Sequence, residues 1–499
     1  MNYFVFSSRF KKGTQITILL AMLLFSLSSG GVVSVYAAPT NDNFANATVV
    51  PGIPYSSGTI STPTATIETG EKAVPNACDG RLLAKGLHTV WYRFTPSVTG
   101  LVSFDSVGSD YDTYIAIWTG TALTNLQFFA CDDDNLSSVQ SQLLTTFQAG
   151  TTYYVQVAAY AGTVAEPSDP GDVTGGNLNF HVRFPNIDVY IPTTTLKGQY
   201  YLPGGTGERA SYLNTSNGPM KLTNVDSIPT IAAERVIYNV NGVPTSFSEM
   251  MALPDSQLDN IYWMPWYNNV DLDTQLRFGN VSNTPATVNL SIGGQPMTSG
   301  CLVNGLPSNS PYTLAAGASL RVTCTGVNSG PVKIESDVNI VAAERVIYSF
   351  MGVPISFTEM MGLPNSQLDN TYWMPWYNNK DLDTQLRFGN VSVSPATVRV
   401  FIGGKEMTSG CFSSNVPYPY VLAAGASLRV SCPAINNGPV QIVSNQNIVA
   451  AERVIYNVNG LPTSFSEMMG IANSKLNTLY WLPWYNNIDL DSQLRFGMP

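Results

Sequence analysis

Charge is scarce in this chain: Asp, Glu, Lys and Arg make up 12% of its 499 residues, against ~25% in an ordinary soluble domain. Basic residues are scarcer still. There are 24 Lys+Arg against 34 Asp+Glu, a formal net charge of −10, and no basic run follows residue 12. Nucleic acid and anionic membrane surfaces both need clustered cations, so neither is an expected partner. With only His88 and His181, multi-histidine metal centres are excluded and the commonest general base is in short supply. Gly-x-Ser-x-Gly, His-Glu-x-x-His and P-loop patterns are absent, and with them the usual signatures of hydrolases and nucleotide enzymes. No segment after the first forty residues is apolar for long enough to cross a bilayer as a helix. What the chain does hold is apolar and aromatic: 44% hydrophobic residues, with 25 Tyr and 21 Phe. That is enough to bury cores, and the length predicts roughly three or four domains.

The first 37 residues read as a secretory signal peptide. Arg9, Lys11 and Lys12 precede an apolar run over 16–27, and Val35-Tyr36-Ala37 supplies a small-residue cleavage site after Ala37. The run is too short for a membrane anchor, which needs ~20 residues. Losing this segment leaves 21 Lys+Arg against 34 Asp+Glu, a formal charge of −13 on the exported chain. The six cysteines agree with export. Cys78 and Cys131, Cys301 and Cys324, and Cys411 and Cys432 fall one pair to a segment, which predicts three local disulfides.

A repeat organises the second half. Ala-Glu-Arg-Val-Ile-Tyr at 233–238 returns at 343–348 and 451–456, spacings of 110 and 108 residues. Each copy continues through Ser-Phe-Ser/Thr-Glu-Met-Met into Tyr-Trp-x-Pro-Trp-Tyr-Asn-Asn-x-Asp-Leu-Asp-x-Gln-Leu-Arg-Phe-Gly. Upstream, residues 202–221 align without gaps on 314–333, with Tyr212 where the later copy has Cys324. The first copy therefore lacks its disulfide. A period of this size is that of a small sandwich domain. Short alternating runs bounded by Gly-Gly, Asn-Gly and Gly-Pro turns predict strands throughout. One helical signal stands out: Ser246-Phe247-Ser248-Glu249 and its copies at 356–359 and 464–467 fit a capping box, predicting a one- or two-turn helix stopped by Pro254 and Pro364. The Gln-Leu-Arg-Phe run is expected to close each module. The sharper alternative makes it the first strand of the following module and the C-terminal copy a donor strand for another subunit.

Residues 38–185 predict about eight short strands, among them 90–94, 101–105, 114–118, 142–147, 153–158 and 178–184, punctuated by Gly100, Gly120 and Gly150. The runs Asn41-Asp42-Asn43-Phe44, Val90-Trp91-Tyr92-Arg93-Phe94, Gly100–Phe104, Asp110-Tyr111-Asp112-Thr113, Cys131-Asp132-Asp133-Asp134 and Gly150–Tyr154 resemble the bacterial pre-peptidase C-terminal (PPC-like) domain family. That resemblance implies an accessory jelly-roll sandwich of secreted bacterial proteins and brings no catalytic residue. Through their "Asn-Val-Ser…Ala-Thr-Val" and "Ala-Ala-Glu-Arg-Val-Ile-Tyr" strands the repeats resemble Ig-like modules of bacterial surface proteins. The expected architecture is all-β: signal peptide 1–37, PPC-like sandwich 38–185, and Ig-like modules at 186–280, 281–390 and 391–499, each with one short helix.

Three groups of residues could carry chemistry. Asp110, Asp112, Asp132, Asp133 and Asp134 gather carboxylates on loops, the hard oxygen donors that Ca2+ takes. No EF-hand spacing is present, so solvated turn aspartates capping their own backbone are the default. Asp271 and Asp273, with their copies in 378–383 and 486–491, could share one face of an extended chain and hold a junctional calcium; a polar turn is again the default. Trp263/Trp266, Trp373/Trp376 and Trp481/Trp484 flank a proline each time. Their rings could stack on sugars, but the proline between each pair suggests a fixed elbow, and a plug at the module junction is the preferred reading. Glu234 and Arg235, adjacent on a strand, point to opposite faces and cannot share a site. Arg277, Arg387 and Arg495 are the expected cross-strand partners of the glutamates. The acids that draw attention in the repeats recur three times, which fits spacing and contact better than one catalytic centre. The expectation is a non-catalytic secreted or cell-surface protein with a spacer and adhesive role, its partner a glycan or another surface protein and no cofactor assigned beyond a candidate Ca2+. Carbohydrate binding through the N-terminal sandwich or the tryptophans is the alternative. A secreted hydrolase with an unrecognised carboxylate pair stands third.

Overall fold

Burial alternates along the strands of the N-terminal segment. In Asn177–Arg183 the inward residues are Leu178, Phe180 and Val182, the period-2 pattern of a strand with one wet face. Leu87–Phe94 differs: Val90 and Tyr92 enter one apolar cluster while Trp91 enters another on the opposite face. The computed structural model describes residues 37–72, 86–134, 138–160, 174–240, 243–458, 461–480 and 494–498. The expected signal peptide, Cys78, Trp481, Trp484 and the 486–491 turn lie outside the described residues. The chain divides into two compact units, Met1–Phe184 and Pro185–Pro499.

The first unit is a two-sheet sandwich. Its strands are β1 (Thr48–Val50), β2 (Tyr55–Ser61), β3 (Leu87–Phe94), β4 (Gly100–Asp105), β5 (Thr113–Thr119), β6 (Gln127–Asp132), β7 (Gln142–Phe147), β8 (Tyr153–Ala159) and β9 (Asn177–Arg183). One sheet runs β1-β3-β8-β5-β6 and the other β2-β9-β4-β7. Tyr92, Phe94, Phe104, Phe147, Val155 and Phe180 fill the space between them. The outer face of the five-stranded sheet carries the second cluster, in which Phe44 meets Trp91 edge-on at 5.3 Å.

In the second unit, a strand switching partners along its length builds each sandwich. Over its first half, Val332–Phe350 pairs with Asp259–Met264 and Ala286–Ile292; from Ile340 to Ile347 it pairs with Asp273–Asn280. The result is one curled sheet that closes on its own core, where Tyr262, Phe278, Val288, Ile334 and Ile340 are buried. Val440–Val458 does the same one repeat later, with Asp369–Met374, Ala396–Ile402 and Asp383–Asn390. Disulfides Cys301–Cys324 and Cys411–Cys432 bond, and Cys301 and Cys324 face each other in register. Residues 186–224 form only a three-stranded sheet, Leu196–Tyr201, Asn186–Tyr190 and Lys221–Asn224.

The described chain is all-β, with helix limited to three-residue turns. Two local expectations are corrected. Ser246–Glu249 does not open a helix: it lies inside strand Val243–Met251, which pairs with Ala233–Val240. Its cap-like side chains are used sideways, Glu249 by Arg235 and the Ser248 hydroxyl by the Glu359 amide. The one short helical turn of each copy lies further on, at Asp255–Gln257 and Asn365–Gln367, just beyond the prolines expected to end it, and at Asn473–Lys475, where Ala472 takes the proline's place. Likewise Gln-Leu-Arg-Phe does not close a module. Asp273–Asn280 pairs forward with Ser319–Cys324 and Val332–Phe350, so it opens the sandwich downstream. The two neighbours that complete its hydrogen bonding both come later in the chain.

Candidate functional site

The acidic loop of the first unit disperses its five carboxylates. Asp110 accepts the Asn177 amide and side-chain N–H at 2.6 and 2.8 Å, and Asp132 accepts the Gln142 amide at 2.7 Å. Asp112 and Asp134 lie near each other. Burial, with the Asp134 carboxylate adding to it, pushes Asp112 up to about 6, and Asp133 is buried. Among the described residues no three His, Cys, Asp or Glu side chains are grouped so as to hold a metal ion. Asp105, not singled out by the sequence, holds His181 Nδ1 at 3.0 Å and Arg183 Nε at 3.2 Å across neighbouring strands.

Asp271 and Asp273 are likewise divided. The Asn268 and Asn328 side chains donate to Asp271, and Gln275 donates to Asp273 at 3.0 Å. The Asn268 side-chain oxygen accepts the amides of Val270 and Asp271, an Asx-type turn.

The four described tryptophans of the repeats are half-buried and their indole N–H groups are all engaged. Trp263 donates to Asn365, Trp266 to Asn328, Trp373 to Asn473 and Trp376 to Asn436, at 2.8 to 3.0 Å. Trp263 also packs against the apolar core of the next sandwich. Trp266 lies 5.0 Å under the guanidinium of Arg387, from the next Gln-Leu-Arg-Phe strand, and the adjoining Pro265 carbonyl accepts the Ser427 hydroxyl at 2.8 Å. Both rings thus sit where one module meets the next.

The charged residues of the repeat converge at the same junctions. Within each hairpin an Arg–Glu pair forms across the strands: Arg235–Glu249, Arg345–Glu359 and Arg453–Glu467. The second and third pairs then meet the glutamate of the preceding copy. Around Glu234 stand Glu359, Arg345 and Arg277; around Glu344 stand Glu467, Arg453 and Arg387. Burial is the first cause raising both glutamates, the second carboxylate adds to it, and the two arginines oppose it. Arg387 is pulled down to about 9, first by burial and then by Arg453. Glu452 is pushed up to about 8 by burial, with Arg495 the countering charge.

These arginines were expected as cross-strand partners. The register places Arg277 opposite Ala343 and Arg321, and Arg387 opposite Ala451 and Arg429. They serve the expected glutamates, but across the module junction. Glu344 and Arg345 do part company as strand alternation requires: Arg345 belongs to one quartet and Glu344 to the next. The Glu359 and Glu467 members were missed. Their only sequence signal was the constant spacing of Ser-Phe-Ser/Thr-Glu after Glu-Arg.

A glycine–proline contact recurs after each Gln-Leu-Arg-Phe run. A Cβ at Gly279 would come within 2.9 Å of Pro219, one at Gly389 within 2.9 Å of Pro331, and one at Gly497 within 3.0 Å of Pro439. Only glycine lets the Phe-Gly end of one module lie against the Gly-Pro corner of the module before it. Compared with known proteins, the chain matches no family model and no curated protein.

Proposed function

We propose that this is a non-catalytic exported protein whose repeats act as a spacer and contact surface outside the cell. The observation that carries this reading is the repeated junction. Two glutamates and two arginines converge twice, around Glu234 and Glu344, and a glycine–proline contact recurs three times, so the conspicuous charged residues of the repeats are spent on joining modules. Two bonded disulfides among the described residues fit an oxidising compartment. The resemblance of the N-terminal segment to PPC-like domains supports an accessory role for that sandwich in an exported bacterial protein.

Deleting residues 281–390 removes one repeat in register, since Val391 then follows Asn280 as it followed Asn390. Cells displaying the shortened chain should attach to surfaces less well than cells displaying the full chain at equal expression. Equal attachment would sink the spacer reading. Carbohydrate binding is the second reading, favoured by the half-exposed indoles set beside asparagines. It predicts quenching or enhancement of tryptophan fluorescence by some member of a broad glycan panel, lost in Trp373→Ala; a panel without effect removes it.

A further inference from the structure

The first copy of the repeat is a sandwich with two strands missing. What it has matches the later copies in register: Leu222 lies opposite Val189 and Lys221 opposite Tyr190, as Ile334 lies opposite Leu290 and Lys333 opposite Ser291. Lys221–Asn224 therefore stands where Val332–Phe350 begins one copy later. In the later copies that long strand is paired on both edges. Its start lies between Ala286–Ile292 and Asp259–Met264, and its continuation between Val353–Met361 and Asp273–Asn280. Val440–Val458 repeats all four pairings. In the first copy, among the described residues, Lys221–Asn224 pairs with Asn186–Tyr190 alone, and Ala233–Val240 with Val243–Met251 alone. The two missing neighbours are the two strands of one segment, Tyr-Trp-x-Pro-Trp to Gln-Leu-Arg-Phe-Gly. That segment enters each later sandwich from the copy before it, whereas the first copy is preceded by the N-terminal sandwich.

The side chains along the open edges are apolar and uncovered. Val332 and Ile334 are fully buried, with Met264 and Tyr262 beside them in register. Met220 and Leu222, at the same positions of the first copy, are 43% and 42% exposed. The segment that closes the next sandwich brings Tyr262, Met264, Leu276 and Phe278 into its core; nothing equivalent reaches the first copy among the described residues. Its hairpin is also the uncovered member of a stack. The hydroxyls of Ser248, Ser356 and Thr358 accept the amides of Glu359, Phe465 and Glu467 in the hairpin that follows. Tyr238 and Tyr348 of the preceding hairpins cover Phe357 and Phe465 at 5.2 and 5.1 Å, while Phe247 is 54% exposed.

We propose that the first copy, residues 186–251, is an acceptor for an extended segment of a separate polypeptide, which adds strands to the open edges of Lys221–Asn224 and Ala233–Val240 and completes the sandwich. The segment has the chemistry of residues 259–280: one strand that sets tyrosine and methionine beside Leu222 and Met220, a polar turn, and a second strand that carries leucine and phenylalanine inward against the hairpin. Main-chain hydrogen bonds supply affinity, and the uncovered apolar positions select the side chains. Both described copies of the segment in this chain, at 259–280 and 369–390, are already built into sandwiches, so the occupant comes from another protein. Such capture goes beyond a spacer role and is read in purified protein, independently of cell attachment.

The test is fluorescence anisotropy of a labelled peptide with the sequence of residues 259–280, titrated with the full chain up to about 1 mM. Saturable one-to-one binding is expected. It should weaken at least about tenfold with Leu222→Arg in the chain, or with Tyr262→Arg and Phe278→Arg together in the peptide. Leu222 is exposed, so its replacement spares the fold, which circular dichroism verifies; the peptide variants leave the chain untouched. Bound peptide should also slow hydrogen exchange at the amides of 221–224 and 233–240. Absence of saturable binding, as when a segment of the same chain already fills the gap, overturns the proposal. So does equal binding by either variant, or protection confined to other strands. Sedimentation at the same concentrations reads the remaining alternative: self-association of the unmodified chain would make a second copy the occupant and overturn it too.

Discussion

At the scale of single residues, burial sets the acid–base behaviour. Asp112 has an ordinary carboxyl value near 3.8 and is raised to about 6. Folding therefore favours its protonated form. Its contribution is fully present below pH 3.8, falls away as pH rises toward 6, and is absent above that. Asp112→Asn is accordingly expected to raise the melting temperature at pH 7 and to flatten its dependence between about pH 4 and 6; thermal scans across that range check it. Calcium gives the complementary experiment, since a bound cation would favour the ionised form. A melting temperature indifferent to millimolar calcium, with EDTA as control, would leave Asp110, Asp112, Asp132, Asp133 and Asp134 as turn residues only. Glu452, raised from 4.5 to about 8, has the same sign over a different window. Glu452→Gln should leave stability near pH 4 unchanged and increase it above pH 8.

At the scale of elements, one substitution has different costs in different copies because the hairpin stack buries its members unequally. Glu467 and Arg453 are buried, and losing one partner of a buried pair costs about 3–5 kcal/mol. Glu249 and Arg235 are accessible, where such a pair contributes about 0–1 kcal/mol. Chemical denaturation of Glu249→Ala and Glu467→Ala should show that gap, and equal losses would contradict the stacked arrangement. The junction glycine makes a second element-scale case. Gly389→Ala places its methyl against the Pro331 ring, and overpacking of this kind costs about 1–3 kcal/mol, measurable as a lower denaturation midpoint. These element-scale features were the least legible beforehand. A capping box and a strand with alternate faces can share the letters Ser-Phe-Ser-Glu, and only the neighbouring hairpin's amides and arginine select the strand. The strand content of residues 38–185 was legible, because each strand there carries its own apolar alternation and needs no distant partner to be recognised.

At the scale of the whole molecule, the repeat makes stability modular. Deletion of residues 281–390 should leave a cooperative melting transition within a few degrees of the full chain, because every remaining strand keeps an equivalent partner. Collapse of that transition would mean the copies are not interchangeable. Composition, period and cysteine spacing by themselves determined an all-β chain with copies about 110 residues apart and disulfides Cys301–Cys324 and Cys411–Cys432, since these depend on local alternation and on features that recur at matching positions. Where one copy ends and the next begins, which glutamate meets which arginine, and why Phe247 is open while Phe465 is covered were decided only by tertiary structure. Strand pairing and module contacts join residues tens to a hundred positions apart, and the same hydrophobic pattern is satisfied by pairing backward or forward until the partners are in place.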